Sequence, residues 1–273
     1  MKQLLIRTLS GIVYSALTIG SLLLGPTYFG IVFLIIVYII MREYLGITLG
    51  KRLPIAQSLA TIAGGLLFIL SYIMCSKGLA FAYLLIPLVF ILLIYISLLY
   101  SKDKEAYKDF PHLINSIIYI ALPFSMCNLI AFDSGTFNGH VILSMMIILW
   151  SADVGAYLFG MTFGQKNGHK LFPSISPKKS WEGYIGGLIS SIAAGIIIAQ
   201  LGLLDLPVVY AIILALIINI FGTFGDLVES QLKRNHGRKD SGKIMPGHGG
   251  LLDRLDGALL AFPTAIIYLL LIL

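Results

Sequence analysis

The chain predicts an all-α, polytopic integral membrane protein, and three observations carry that class. Of its 273 residues 58% are hydrophobic and 12% charged, roughly half the charged share of an ordinary soluble domain. Apolar runs recur between short polar breaks, and a hydrocarbon core about 30 Å thick takes about 20 helical residues per crossing. Lys and Arg gather in alternate breaks, as expected of a chain with a fixed membrane topology. Helix is the required form, because backbone groups facing lipid must be paired within their own segment.

Nine spans are expected, at 8–24, 27–48, 54–74, 78–99, 112–131, 139–159, 183–204, 207–229 and 255–273. Lys2 and Arg7 precede the first, which imitates a signal peptide; Leu24-Gly25-Pro26 offers no small-x-small cleavage site, so it reads as a retained helix. Arg42, Lys51 and Arg52 follow the second span. Lys102, Lys104 and Lys108 follow the fourth, in the mixed-charge stretch SKDKEAYKDF, which reads as a solvated loop beside lipid headgroups. Lys166, Lys170, Lys178 and Lys179 follow the sixth, and Lys233, Arg234, Arg238, Lys239, Lys243 and Arg254 follow the eighth. The alternate connections hold Lys77 alone, so 18 of 19 cations fall on one face. The positive-inside rule makes that face cytoplasmic, with the N-terminus inside and the C-terminus outside. The expected setting is the cell membrane, with the active site facing the cytoplasm.

The net charge of +6 therefore reads as topology and attraction to anionic lipid, and nucleic acid is not an expected partner. Cys75 and Cys127 lack metal-ligand spacing and read as small apolar residues. The expected division places N-terminal transmembrane helices in 1–131 and a catalytic region in 132–273, with cytoplasmic loops at 160–182 and 230–254.

Carboxylates at membrane depth cost about 2.5–3.5 kcal/mol on insertion scales, so each is a functional candidate. Asp153 lies in LWSADVGAYLFG, Asp226 and Glu229 in FGDLVES, and Asp256 in LDRLDG. Residues three or four apart share a helix face. Asp226 thus sits above Glu229 and Ser230, and Asp253 over Asp256, while Arg254 points about 100° away from Asp253. Such a gathering of acids calls for a divalent cation, and oxygen-only ligation suits Mg²⁺ better than zinc.

Two connections supply the complement. In GMTFGQKNGHKLFPSISPKKSWEGYIGG, glycines allow close backbone approach, and Ser176, Lys178 and Lys179 offer donors to phosphate oxygens. In ESQLKRNHGRKDSGKIMPGHGGLLDRLD, the cations Lys233, Arg234 and Lys239 accompany a His248-Gly249-Gly250 turn and the Asp253/Asp256 pair. Phosphate needs cations and backbone N–H groups, and a metal needs carboxylates; one segment offers both.

The run from Ser230 to Asp256, S-x-L-K-R-x4-K-D-x-G-x-x-M-P-x-H-G-G-L-x-D-R-L-D, resembles the signature of the phosphatidate cytidylyltransferases, or CDP-diacylglycerol synthases. The resemblance extends to ADVGAYLFG and SPKKSWEG and covers the chain from about 150 onward; Met245 departs from the Leu, Ile or Phe expected there. It implies transfer of a cytidylyl group from CTP to phosphatidic acid, giving CDP-diacylglycerol and pyrophosphate with Mg²⁺. Asp226 and Asp253 are then expected at the metal with Asp256 adjacent, and Lys233, Arg234, Lys239 and Asp240 at the nucleotide. Ser176, Lys178 and Lys179 are expected at the lipid headgroup or the outer phosphates. His248 joins the catalytic set; Asp153, Glu229, Ser230, Gly249 and Gly250 join the substrate-binding set. Expected partners are CTP, phosphatidic acid, membrane lipids and a second copy of the chain in a homodimer. A CTP-dependent polyprenol kinase would use similar parts but release CDP. An ion-coupled transporter would also carry intramembrane acids, yet no paired broken helices appear in two similar halves.

Overall fold

The computed structural model describes residues 2–164, 168–247 and 249–273, with side chains from residue 5 onward. Among the described residues, nine helical segments are long and apolar enough to cross a membrane. The protein is a multi-pass α-helical membrane protein. Helices α1 (Lys2–Leu24), α2 (Pro26–Thr48) and α3 (Pro54–Lys77) come first. Proline opens α2 and α3, where its missing N–H costs nothing. A 3₁₀ turn at Phe81–Leu85 runs into α4 (Ile86–Leu99).

The fifth span begins earlier than its apolar run. A 3₁₀ turn at Ala106–Asp109 leads into α5 (Phe110–Ser116), a π turn at Ile117–Ala121 and α6 (Leu122–Ala131). In that turn Leu122 donates its N–H to the Ile117 oxygen, just before Pro123, which has no N–H to give. Then follow α7 (Gly139–Phe163), a hairpin of β1 (Lys170–Phe172) and β2 (Ser176–Ser180), α8 (Trp181–Gln200), α9 (Val208–Asn235) and α10 (Leu252–Ile272). The Ser180 hydroxyl caps α8 by accepting the Gly183 N–H at 3.2 Å.

The chain divides into two compact units. One comprises residues 1–138 and 240–254. Its core is aromatic: Phe29 packs against Phe33 at a tilt with ring centroids 4.6 Å apart, and Phe33 meets Phe124 edge-on at 6.2 Å. Polar bonds tie its helices, with Asn128 Nδ2 donating to Ser71 Oγ at 2.8 Å and Asn115 Nδ2 to the Tyr44 hydroxyl at 2.7 Å. The mixed-charge stretch is pinned as well as solvated, since Arg52 bridges Asp103 at 2.7 Å and Asp109 at 2.9 Å. That guanidinium, helped by the Glu105 N–H, holds the Asp103 carboxyl below the usual carboxylate range. The helix α4 turns large apolar side chains outward, among them Leu92 at 61% exposure, the composition of a face that meets lipid.

The second unit comprises residues 139–239 and 255–273. Small residues let its backbones meet: a Cβ on Gly187 of α8 would lie 2.9 Å from the Ala152 oxygen of α7, and one on Gly225 of α9 would lie 2.6 Å from the Asp256 oxygen of α10.

Candidate active site

Within the unit of residues 139–239 and 255–273, carboxylates and lysines converge where α9, α10 and the hairpin meet. The hairpin presents Lys179, whose Nζ lies 2.7 Å from Asp226 Oδ2 and donates to the Thr223 oxygen at 3.4 Å. One helical turn beyond Asp226, Ser230 Oγ donates to Asp226 Oδ1 at 3.1 Å. Both oxygens of Asp226 are therefore oriented. A further turn along, Lys233 Nζ pairs with Glu229 Oε2 at 2.6 Å, and Glu229 is fully buried. Asp256 stands in the negative field of Asp226, then Glu229, then Asp153, and its Oδ1 accepts the Gly257 N–H at 2.7 Å. The close approach at Gly225 is what lets α9 and α10 hold these acids together.

Four acids thus share this region, and the pairs Lys179–Asp226 and Lys233–Glu229 balance two of them. Among the described residues, no three His, Cys, Asp or Glu side chains form a metal-ligating group. Mg²⁺ needs no all-protein cage: it keeps several waters and binds through one or two carboxylates plus substrate phosphates. Asp226 and Asp256 fit that requirement, and the negative field of the neighbouring acids at Asp256 favours a cation.

The other unit holds the second half of the signature, residues 240–254. Asp253 accepts the Ser241 N–H at 3.0 Å and the Gly250 N–H at 2.8 Å, closing the loop on itself. Gly249 has φ of 91°, and a Cβ there would stand 2.6 Å from Asp253 Oδ2, so the turn requires glycine. Glu43 of α2 accepts the Leu252 N–H at 2.8 Å and the Leu251 N–H at 3.1 Å, and Ser241 Oγ reaches its Oε2 at 3.4 Å. From α1, Arg7 Nε donates to the Gly247 oxygen at 2.8 Å and Ser10 Oγ to the Pro246 oxygen at 3.1 Å.

The remaining predicted residues are distributed less tightly. Ser176 is half-buried in β2, Lys178 is exposed beside it, and Lys239 and Asp240 are exposed; Asp153, last of the three acids acting on Asp256, is exposed on α7. Arg234 turns back to donate Nη1 to the Arg238 oxygen at 3.0 Å. His248 and Lys166 lie outside the described residues. Glu43, Arg7 and Ser10 are residues that sequence reasoning missed. Glu43 lies inside the expected second span, so the rule that singled out the other acids applies to it equally. The neighbouring Arg42 masks it by suggesting a headgroup pair, although adjacent residues on a helix point about 100° apart.

Apolar helices carrying acids and ammonium groups at their ends define a multi-pass membrane protein with a charged polar site. The model of the Cytidylyltransferase family matches residues 5–272, and the chain belongs to that family. It is similar to the phosphatidate cytidylyltransferase of Staphylococcus haemolyticus, 34% identical over 97% of this chain and 98% of the relative. The same enzyme of Staphylococcus aureus is 35% identical over 97% and 98% of the two chains, and that of Staphylococcus saprophyticus is 33% identical over the same shares. The resemblance seen in the signature is thereby extended over the N-terminal helices, and the chain is an enzyme of the nucleotidyltransferase class.

Proposed function

We propose that the protein transfers CMP from CTP to phosphatidic acid, giving CDP-diacylglycerol and pyrophosphate. The observation that carries this reading is the near full-length match to phosphatidate cytidylyltransferases, joined to the ion pairs Lys179–Asp226 and Lys233–Glu229 within one unit. A phosphate monoester with a second pKa near 6 is largely dianionic at neutral pH, so the lipid is already a nucleophile. Its oxygen bonds to the α-phosphorus as the α–β phosphoanhydride bond breaks, and pyrophosphate departs. No group on the enzyme has to take a proton. The work is positioning two anions and stabilising the leaving charge.

Lys179 and Lys233 are the ammonium groups assigned to phosphate oxygens, each already oriented by a carboxylate. Arg234 and Lys239 are assigned to the triphosphate and Asp240 to the nucleotide. Mg²⁺ would be held by Asp226 and Asp256 and would neutralise charge on the phosphates. Asp253, in the other unit, accepts the Ser241 and Gly250 N–H groups and is assigned to holding the signature loop. The cation asymmetry supports a cytoplasmic site and a cytoplasmic N-terminus.

The deciding experiment incubates purified protein with α-³²P-labelled CTP, phosphatidic acid and Mg²⁺. Label in the lipid is the expected result. Label left entirely in CDP would instead identify a lipid kinase.

A further inference from the structure

Beneath the signature loop the first unit contains an apolar groove of about 540 Å³, within the roughly 300–1,000 Å³ range of small-molecule sites. Leu9, Val13 and Leu17 of α1 form one wall, Ile36 of α2 the other, and Met245 and Leu251 of the loop the roof. Two of the hydroxyls along it are turned to the backbone, with Ser10 Oγ donating to the Arg7 and Pro246 oxygens and Thr18 Oγ1 to the Tyr14 oxygen, and Tyr14 adds a phenol to the lining. The rest of the lining is hydrocarbon. From Leu5 to Thr18 the α1 wall rises roughly 20 Å, comparable with the roughly 15 Å of hydrocarbon in one leaflet. At the loop end stands the Arg7 guanidinium, fixed by the Gly247 oxygen at 2.8 Å.

An apolar slot headed by a cation is complementary to an amphiphile with an anionic head. A second groove of about 680 Å³, lined by Leu34, Ile62 and Gly65 with Arg42 at its edge, has similar chemistry. Among the described residues, none of the signature loop borders it. On that difference, and resting on the lipid substrate proposed above, we infer that the groove under the loop is the acyl-chain site for phosphatidic acid. Met245 and Val13 then select chain length and shape. Met245, the position where the chain departs from the signature, is a flexible thioether suited to irregular contact with hydrocarbon.

The test uses Val13→Trp, which fills the groove, with Ile62→Trp in the second groove as control, both in the full-length protein. Each methylene denied contact weakens binding by about fourfold, so Val13→Trp is expected to raise KM for dioleoyl phosphatidate roughly tenfold or more. KM for CTP should stay unchanged, dioctanoyl phosphatidate should become the better substrate, and Ile62→Trp should behave as wild type. Equal chain-length profiles for Val13→Trp and wild type would overturn the inference. A second measurement is independent of turnover: phosphatidic acid with a diazirine at the acyl terminus is photolysed on the wild-type protein. Labelling of α1, α2 or residues 244–251, competed by phosphatidic acid and not by phosphatidylcholine, supports the site. Equal competition by both lipids would mean bulk lipid only and would overturn it. A wild-type protein that labels in this way but forms no CDP-diacylglycerol would retain the lipid site and sink the proposed reaction instead.

Discussion

Glu43 accepts the backbone N–H of Leu252 at 2.8 Å, joining residues 209 positions apart. Through that bond, and the one from Leu251, a carboxylate in α2 fixes the turn that carries Gly249, Gly250 and Asp253. Bonds to a charged acceptor are worth about 1.5–3 kcal/mol each. Glu43→Ala should therefore lower kcat roughly 10- to 100-fold. Glu43→Gln, which keeps one acceptor oxygen, should recover part of the loss. Steady-state kinetics on both variants check this, and equal activity of Glu43→Ala and wild type would remove Glu43 from any role in the loop.

Asp226 is the acid on which the proposed metal site depends. Asn there keeps the shape and one acceptor but removes the charge that Lys179 meets at 2.7 Å. Turnover should fall at least about 10²-fold, the usual cost of an electrostatic contact in a preorganised site. Titration with Mg²⁺ should show half-maximal activity moved to a higher ion concentration, with partial rescue at excess. Asp133→Asn, in the connection before α7, serves as the silent control.

The adjacent lysines of the hairpin should separate. Lys179 reaches Asp226 and the Thr223 oxygen, whereas Lys178 is exposed. Lys179→Gln is expected to cost at least roughly tenfold in kcat/KM, the loss of one charge-assisted bond. Lys178→Gln should cost no more than about twofold, as surface charges do. The reverse order, measured on the two single variants, would move the phosphate contact to Lys178.

At Gly225 an added Cβ would meet the Asp256 oxygen at 2.6 Å, backbone against backbone. Neither helix can relieve that by rotating a side chain, so Gly225→Ala should destabilise by about 1–3 kcal/mol, the range for overpacking. Thermal unfolding in detergent should show the lower midpoint, and activity should fall with it because Asp226 and Asp256 are pushed apart. An unchanged midpoint would mean that the two helices approach less closely than described.

Orientation is open to direct labelling. In a background without Cys75 and Cys127, Gly237→Cys should react only with reagents that reach the cytoplasm, and a Cys appended after Leu273 only with external ones. Both reacting from one side would require an even number of crossings.

Much of the fold was legible because lipid imposes one rule, a helix of sufficient apolar length, and composition reports that rule directly. What composition misses lies where helices leave the hydrocarbon. The eighth span was expected to end at 229, yet α9 continues to Asn235 because Glu229 and Lys233 pair along it. The ninth was expected from 255, but α10 starts at Leu252, whose N–H the Glu43 carboxylate accepts. The hairpin went unread because its strands are three and five residues long and carry no alternating apolar pattern. Within the candidate site, spacing alone grouped Asp226 with Glu229 and Ser230, since one helix holds all three. It could not select Lys179 over Lys178, because hairpin geometry decides that.

The first unit is closed by residues 240–254, although its other part ends at 138. During synthesis at about 5–20 residues per second, the intervening stretch of roughly 100 residues delays that closure by about 5–20 s. Through this interval α2 has already been made, while the partners of the Glu43 carboxylate have yet to leave the ribosome. A nascent chain halted before residue 240 would carry that acid at the membrane without its loop, a form on which quality-control proteases could act.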